Sequence, residues 1–316
     1  MDITQEVITA EKRIRPHIRE TFLEYSPYYS ALAGAEIYFK LENLQYTGSF
    51  KVRGAMNKML SLTASERQRG VVTASTGNHG AATAFSLAKL GGAGIVFVPD
   101  NASAAKVQAI ERLGAEIRCF GDDTAVTEAH ARCYAHDHGL TYIPPYNDLQ
   151  VIGGQGTIAV ELARQLSRID AVFVALGGGG LISGIAGYLK SIHPSVAIIG
   201  CSPQNSQVMI QSIRAGKILD LPSRPTISDG TAGGVEPGSI TFDLCRDLVD
   251  HYEVVTESEI KASLRQFLEI HHTLIEGAAA VAVAACVKMG HRFAGKNVIV
   301  VLCGANISLE TLKTVL

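Results

Sequence analysis

The sequence is short of the features that mark most other classes of protein. Charged residues make up only 18% of its 316 positions and the net charge is -2. No excess of one sign draws the chain to nucleic acid or to an acidic membrane, and neither is expected as a partner. Its six cysteines, Cys119, Cys133, Cys201, Cys245, Cys286 and Cys303, include no C-x-x-C pair. That spacing fits neither a zinc site nor a small disulfide framework, and it points to a reducing compartment. Acids and bases are mixed over residues 2–20 with no apolar core, so no signal peptide is expected. The most apolar stretch, residues 277–287, is Ala-rich and too short to span a bilayer. It reads as a buried helix, and a cytoplasmic location follows as the expectation. Neither G-x-G-x-x-G nor G-x-x-x-x-G-K-[ST] occurs, so no motif calls for a dinucleotide or a nucleoside triphosphate. There is no internal repeat and no low-complexity tract.

What is present is a long alternation of strand-like and helix-like segments in a chain that is 47% hydrophobic. Over residues 70–143 the strands fall at 71–73, 94–98, 116–120 and 140–143. Helices fall between them at 78–90, 103–113 and 124–138. Helices between short β-branched runs imply parallel strands with right-handed crossovers. Thr63 and Glu66 form a capping-box pattern just before this block. A second series starts near Gly153, with strands at 171–176, 196–201, 252–256 and 297–303. Its helices are at 182–191, 204–215, 257–271 and 278–289. Two of its strands, 171–176 and 298–302, are apolar throughout, as fits strands covered on both faces. Residues 216–238, rich in Gly, Pro and Ser, read as a long loop. The expected fold class is α/β in two lobes, each a mostly parallel sheet flanked by helices, with the active site in the cleft. Residues 1–68 with 147–316 form the expected large lobe, and 69–146 the small mobile one.

Three places in this pattern carry chemistry. Gly177, Gly178, Gly179 and Gly180 follow a buried strand and precede a helix, where backbone N–H groups and the helix dipole converge on an anion such as phosphate. A tight turn demanded by packing alone is the other reading. Ser75, Thr76, Gly77, Asn78 and His79 occupy a similar strand–turn–helix setting, suited to a carboxylate or to simple N-capping. Lys51 sits in the apolar context Gly48-Ser-Phe-Lys-Val. Desolvation there favours the neutral amine that Schiff-base chemistry needs, whereas an isolated lysine is usually just a surface group.

Taken together and in order, S-F-K-V-R-G-A (49–55), A-S-T-G-N-H-G (74–80), G-Q-G-T-I (154–158), G-G-G-G-L (177–181), I-E-G-A (275–278) and C-G-A-N (303–306) resemble one family over nearly the whole chain. These are the pyridoxal-phosphate enzymes of the tryptophan-synthase-β fold type, specifically the serine/threonine dehydratase (ammonia-lyase) and serine racemase group. The resemblance implies pyridoxal 5'-phosphate as cofactor, attached to Lys51, which also removes the substrate's α-proton. It places Phe50 by the ring, Asn78 on the ring hydroxyl, Gly177 to Gly180 and Leu181 on the phosphate, Glu276 near the ring and Cys303 facing the pyridine nitrogen. Ser75, Thr76, Asn78 and His79 would surround the substrate carboxylate, and Tyr146, Asn147 and Asp148 with the 230–238 loop are expected to line the pocket beyond Cβ. A homodimer is the family expectation.

The chain departs from the family at three points. Cys303 stands where serine or threonine is usual, and a thiol with an ordinary pKa near ~8.5 is expected to alter the pH profile. Thr76 takes the place of the racemases' opposite-face acid/base serine. Cys201, Ser202, Pro203, Gln204, Asn205 and Ser206 offer no carboxylate where those racemases bind a divalent cation. Both of the latter departures favour a lyase. The chain ends shortly after Asn306, so the C-terminal regulatory domain of biosynthetic threonine dehydratases, and with it control by isoleucine, is not expected.

The implied reaction eliminates the β-hydroxyl of a 3-hydroxy L-amino acid as water, and hydrolysis of the product then gives a 2-oxo acid and ammonia. Serine and threonine are the default substrates. Phenylserine, 3-hydroxyaspartate and products of hydroxylated osmolytes remain open, and racemisation through Lys51 and Thr76 is the alternative. No metal is expected, because His136 and His138 diverge by about 200° on a helix. Lys12, Arg13 and Arg15 read as a solvated helix face.

Overall fold

The computed structural model describes residues 2–102, 104–122 and 124–316. Among these, ten strands form two sheets. The strands are β1 (Leu23–Tyr25), β2 (Glu36–Lys40), β3 (Val71–Ala74), β4 (Gly94–Val98), β5 (Glu116–Cys119), β6 (Thr141–Tyr142), β7 (Ala171–Ala175), β8 (Ala197–Pro203), β9 (His251–Val255) and β10 (Asn297–Val301). The larger sheet runs β1-β2-β10-β7-β8-β9 and the smaller β5-β4-β3-β6. Every pairing is parallel except the edge pair β1–β2. In β7 and along β10 from Val298 the side chains are buried on both faces, as their unbroken apolar sequence requires.

The helix starts are chemically specified. Thr63 and Glu66 close the expected capping box at the helix Ala64–Arg69, and Thr256 and Glu259 close another at Glu257–His271. Asp148 caps Leu149–Gln165 by accepting from the N–H groups of Gln150 and Val151 at 2.9 and 3.0 Å. That last helix is absent from the sequence reading. Gly153, Gly154 and Gly156 lower its helix propensity, yet each lets another segment in: a Cβ on Gly154 would stand 2.5 Å from the Arg53 carbonyl oxygen. The helix expected at 204–215 is Val208–Ala215, because β8 continues through Pro203. Ser103, the expected first residue of the 103–113 helix, lies outside the described residues, and the helix that follows is Ala104–Glu111. The 216–238 segment holds one 3-10 turn, Asp229–Thr231, and is otherwise a loop as expected. No described helix is long and apolar enough to cross a membrane.

One expectation is overturned near the N-terminus. Arg13 and Arg15 are not a merely solvated face. Arg13 donates to Asn57 at 2.6 Å, and Arg15 donates to the fully buried carboxylate of Glu161 at 2.6 Å. Glu161 is the centre of an ion network that the sequence reading missed. It accepts from Lys40 at 2.6 Å and from two nitrogens of Arg53 at 2.8 and 2.9 Å. Arg53 also grips Glu42 with a bidentate pair at 2.7 and 2.8 Å. Lys40, Glu42, Arg53 and Glu161 are each 0% exposed. Such charges are tolerated only because each one is paired.

The cationic neighbours hold the Glu161 carboxyl at about 2, against burial that alone would raise it. A depressed carboxyl stabilises the fold in full above its ordinary 4.5, and this contribution is lost as pH falls toward 2. Removing the charge strands Lys40 and Arg53, so Glu161→Gln is expected to lower stability by about 3–5 kcal/mol in denaturant unfolding. It also removes the part of the acid-induced loss that falls in that window. A variant as stable as the wild type would show that the network contributes nothing.

Candidate active site

Three loops meet where parallel strands end, which is where open α/β sheets place their ligands. Ser75 to Asn78 follow β3, Gly177 to Gly180 follow β7, and Cys303 to Asn306 follow β10. The loop that carries Lys51 is tied to the last of these. Phe50 N–H donates to the Cys303 carbonyl at 3.0 Å and Ala305 N–H to the Gly48 carbonyl at 2.8 Å. Lys51 then opens the helix Lys51–Ser61. The same helix is anchored one half-turn later by Arg53 in the buried ion network.

Lys51 Nζ donates to the carbonyl oxygen of Pro145 at 2.8 Å, with the Phe50 ring centroid 5.4 Å away. Loss of water pushes its pKa down to about 8, only partly offset by the negative potential of Glu276 and Glu128. With that pKa roughly a tenth of the lysine is neutral amine at pH 7, far more than at the ordinary 10.5.

The glycines are needed for packing. Gly179 lies at φ +86°, a left-handed conformation that glycine adopts without strain. A Cβ on Gly177 would stand 2.9 Å from Thr231, and one on Gly178 would stand 2.5 Å from the Tyr146 ring. Thr241 donates to the Gly178 carbonyl at 2.6 Å and fixes the loop's orientation. The helix Gly180–Ile192 starts within this loop, so its unpaired first-turn N–H groups belong to Gly180, Leu181 and Ile182.

On the facing loop, the helix Asn78–Leu90 begins with Asn78 and His79. The His79 ring is 3% exposed, and its Nε2 donates to the Ile143 carbonyl at 3.0 Å. Burial and the nearby Lys51 hold His79 down to about 3, so its ring is neutral and its Nδ1 has no partner. What His79 offers an anion is its backbone N–H, together with those of Asn78 and Gly80. Ser75 and Thr76 are half-buried at the same turn, and Ser75 Oγ accepts from Gly77 N–H at 3.2 Å.

Asn78 and Glu276 lock the floor. The Asn78 amide donates to both Glu276 oxygens at 3.0 Å and accepts from Asn306 Nδ2 at 2.6 Å. Burial raises Glu276 to about 7, so near neutral pH it sits between acid and carboxylate. Cys303 Sγ lies 3.8 Å from Glu276 Oε1. The thiol is 2% exposed, and its burial beside Glu276 pushes its pKa well above the ordinary range. The expectation that Cys303 titrates near the working pH is therefore corrected: the thiol stays protonated.

The other sequence-level candidates are elsewhere. His130 stacks on Phe120 and His138 on Tyr134, with centroids 3.5 and 3.9 Å apart, while His136 meets Asp137. Ser202 and Asn205 are taken up by the backbone carbonyls of Leu176 and Pro225.

Residues 14–304 match the family described as pyridoxal-phosphate dependent enzyme. The chain belongs to that family. It is 38% identical over 312 residues to the catabolic L-threonine dehydratase of Escherichia coli (strain K12), covering 98% of this chain and 94% of the relative. Among solved structures it is similar to the processed form of threonine deaminase isoform 2 from Solanum lycopersicum. That match has a TM-score of 0.95 at 32% identity, over 99% of this chain and 92% of the other. Maize serine racemase superposes with a TM-score of 0.92 at 33% identity, over 98% and 95% of the two chains. The fold is of the tryptophan-synthase-β type, and the chain is a pyridoxal-phosphate-dependent lyase.

The residues present fit that cofactor. A desolvated amine, a glycine loop at a helix N-terminus and a buried Ser49 hydroxyl with no partner lie on connected segments. Lys51 is the candidate for attachment and Gly177 to Leu181 for the phosphate. Phe50, Asn78, Glu276 and Cys303 are the candidates around the ring.

A pKa of about 8 for Lys51 has a kinetic consequence. Attachment needs the neutral amine, so recovery of the visible cofactor band by cofactor-free protein is expected to speed up with pH and level off above about 8. Because the thiol stays protonated, Cys303→Ser is expected to leave that profile in place. A plateau reached only near the ordinary 10.5, or a profile displaced in Cys303→Ser, would contradict these assignments.

Proposed function

We propose that the protein is an ammonia-lyase that converts a 3-hydroxy L-amino acid, serine or threonine by default, to a 2-oxo acid and ammonium. The observation that carries this reading is Lys51. It is a largely desolvated amine that opens a helix between the glycine loop after β7 and the Asn78 turn after β3. The relatives named above as threonine dehydratase and threonine deaminase support the substrate class.

The cofactor, when bound, supplies an electron sink that makes the substrate's α-proton acidic. The chain's own part is to position and to move protons. In this reading Lys51 takes the α-proton. The N–H groups of Asn78, His79 and Gly80, with the hydroxyls of Ser75 and Thr76, hold the substrate carboxylate and so fix which bond at Cα faces Lys51. The N–H groups of Gly180 and Leu181 would hold the phosphate, where the helix dipole favours negative charge. Cys303 would face the pyridine nitrogen as a neutral thiol, and Glu276, by holding the Asn78 amide, would keep it turned toward the ring hydroxyl. Tyr146, against Gly178 and Gly180, bounds the space beyond Cβ.

The proposal extends to the architecture. Residues 69–146 act as a small lobe that closes over residues 1–68 with 147–316, excluding water around Lys51. The working form is a homodimer in the cytoplasm.

The test is an end-point assay of cofactor-loaded enzyme on L-serine, L-threonine, threo-phenylserine and threo-3-hydroxyaspartate, with ammonia, 2-oxo acid and D-isomer all quantified. Ammonia equal to 2-oxo acid, with D-isomer absent, is the expected result. Dominant D-isomer would overturn the lyase reading and make Thr76 the opposite-face acid/base of a racemase. Turnover of phenylserine above threonine would move the substrate to the bulkier class.

A further inference from the structure

Beside Lys51, the small sheet and the long loop of the large lobe are joined by a charged cluster that the reaction does not use. Glu128 and Arg132 lie on the helix Thr124–Asp137, and Glu236 lies on the 216–238 loop. Arg132 Nη2 donates to Glu128 at 2.8 Å and to Glu236 at 3.1 Å, and its guanidinium sits 4.4 Å from the Tyr142 ring centroid. Tyr142 Oη donates to Glu128 at 3.2 Å, and Asn147 Nδ2 donates to Glu236 at 3.0 Å. The side chains of Glu128, Arg132 and Glu236 keep 28, 34 and 30% exposure, so each still meets solvent.

The segment Pro145-Tyr146-Asn147 connects this cluster to the site. Pro145 receives the Lys51 ammonium, the Tyr146 ring lies on Gly178, and Asn147 holds Glu236. Tyr146 Oη also accepts from the Glu236 N–H at 2.9 Å. Glu128 is close enough for its charge to favour the protonated form of Lys51. The cluster therefore borders the segment whose Tyr146 the proposed function sets beyond Cβ. Among the described residues it sets two carboxylates against one guanidinium, leaving one negative charge in excess in a partly desolvated cleft.

We propose that Glu128, Arg132 and Glu236 form a side-chain subsite that selects 3-hydroxy L-amino acids ending in a cationic group, such as an amine. A terminal ammonium would be the second cation of the cluster and could donate to both glutamates. An uncharged side chain leaves the cluster's excess negative charge unbalanced, and a carboxylate adds a like charge. The net reaction is the one proposed above: RCH(OH)CH(NH3+)COO- gives RCH2COCOO- and NH4+. The Cα–H, Cβ–O and Cα–N bonds break, and R keeps its cation. The choice of a 3-hydroxy substrate rests on the lyase reading, whereas the choice of a cationic end does not.

The experiment has two arms on the cofactor-loaded enzyme. In the first, calorimetry measures binding of L-ornithine and L-2,4-diaminobutyrate against L-norvaline, L-2-aminobutyrate and L-glutamate, none of which carries a 3-hydroxyl to eliminate. Tighter binding of the diamino acids by about tenfold or more over the neutral pair is expected, with L-glutamate weakest. In the second arm, 3-hydroxyornithine and 3-hydroxynorvaline are compared by kcat/KM. Glu128→Gln and Glu236→Gln are expected to lower the cationic-over-neutral ratio, and Arg132→Gln to raise it. Equal binding of cationic and neutral ligands, or a ratio unmoved by all three variants, would reduce the cluster to a contact between lobes and overturn the proposal. Preference for L-glutamate that vanishes in Arg132→Gln would overturn it in favour of an acidic substrate. Selective binding without turnover of either hydroxy acid would defeat the lyase reading and leave the subsite standing.

Discussion

Arg53, two residues after Lys51, is a guanidinium with no exposure to water, held by the carboxylates of Glu42 and Glu161. A charge in such a place needs its partners, and here they come from distant parts of the chain: the turn after β2, the helix Leu149–Gln165 and, through Lys40 and Arg15, β2 and the N-terminal segment. The pairing fixes the helix Lys51–Ser61 in rotation and along its axis. Lys51, as the first residue of that helix, is then placed by a network it does not touch. Weakly exposed pairs adjust cheaply, but a fully buried one permits few alternative arrangements.

Around that fixed point the electrostatics are set by burial more than by ion pairing. Lys51 is pushed down to about 8 and Glu276 up to about 7, both chiefly by loss of water. Cys303 is pushed the same way as Glu276, toward its protonated form, and His79 is kept neutral. The floor of the site is therefore low in net charge except where Glu276 ionises. Hydrogen bonds from Asn78 and the Asn306 N–H, which favour the carboxylate, hold that change of state in check.

Much of this was legible in the sequence. The alternation of short β-branched runs with helices located both series of strands, and the capping box at Thr63 is visible as a residue pair three apart. The ordered motifs identified the loops around Lys51, Asn78 and Gly177. The rest was hidden for specific physical reasons. Helix Leu149–Gln165 is rich in glycine because Arg53 and Gly184 pack against its backbone, and local propensity does not register such contacts. Glu42, Glu161 and Lys40 look like surface charges until the fold brings them to Arg53, more than 100 residues from Glu161 along the chain. The environment of Cys303 depends on its closeness to Glu276, which no local pattern carries. Glu236 lies in the 230–238 loop expected beyond Cβ, but Glu128 and Arg132 belong to no motif, and only the fold brings the three together.

In the proposed function Lys51, and no other lysine, holds the cofactor. Reduction of the loaded enzyme with borohydride makes the attachment permanent, and peptide mass mapping then locates the added pyridoxyl group. The account predicts the modification on the peptide containing Lys51, in stoichiometric yield. Modification of another lysine, such as Lys58, which is paired with Asp148, would contradict it.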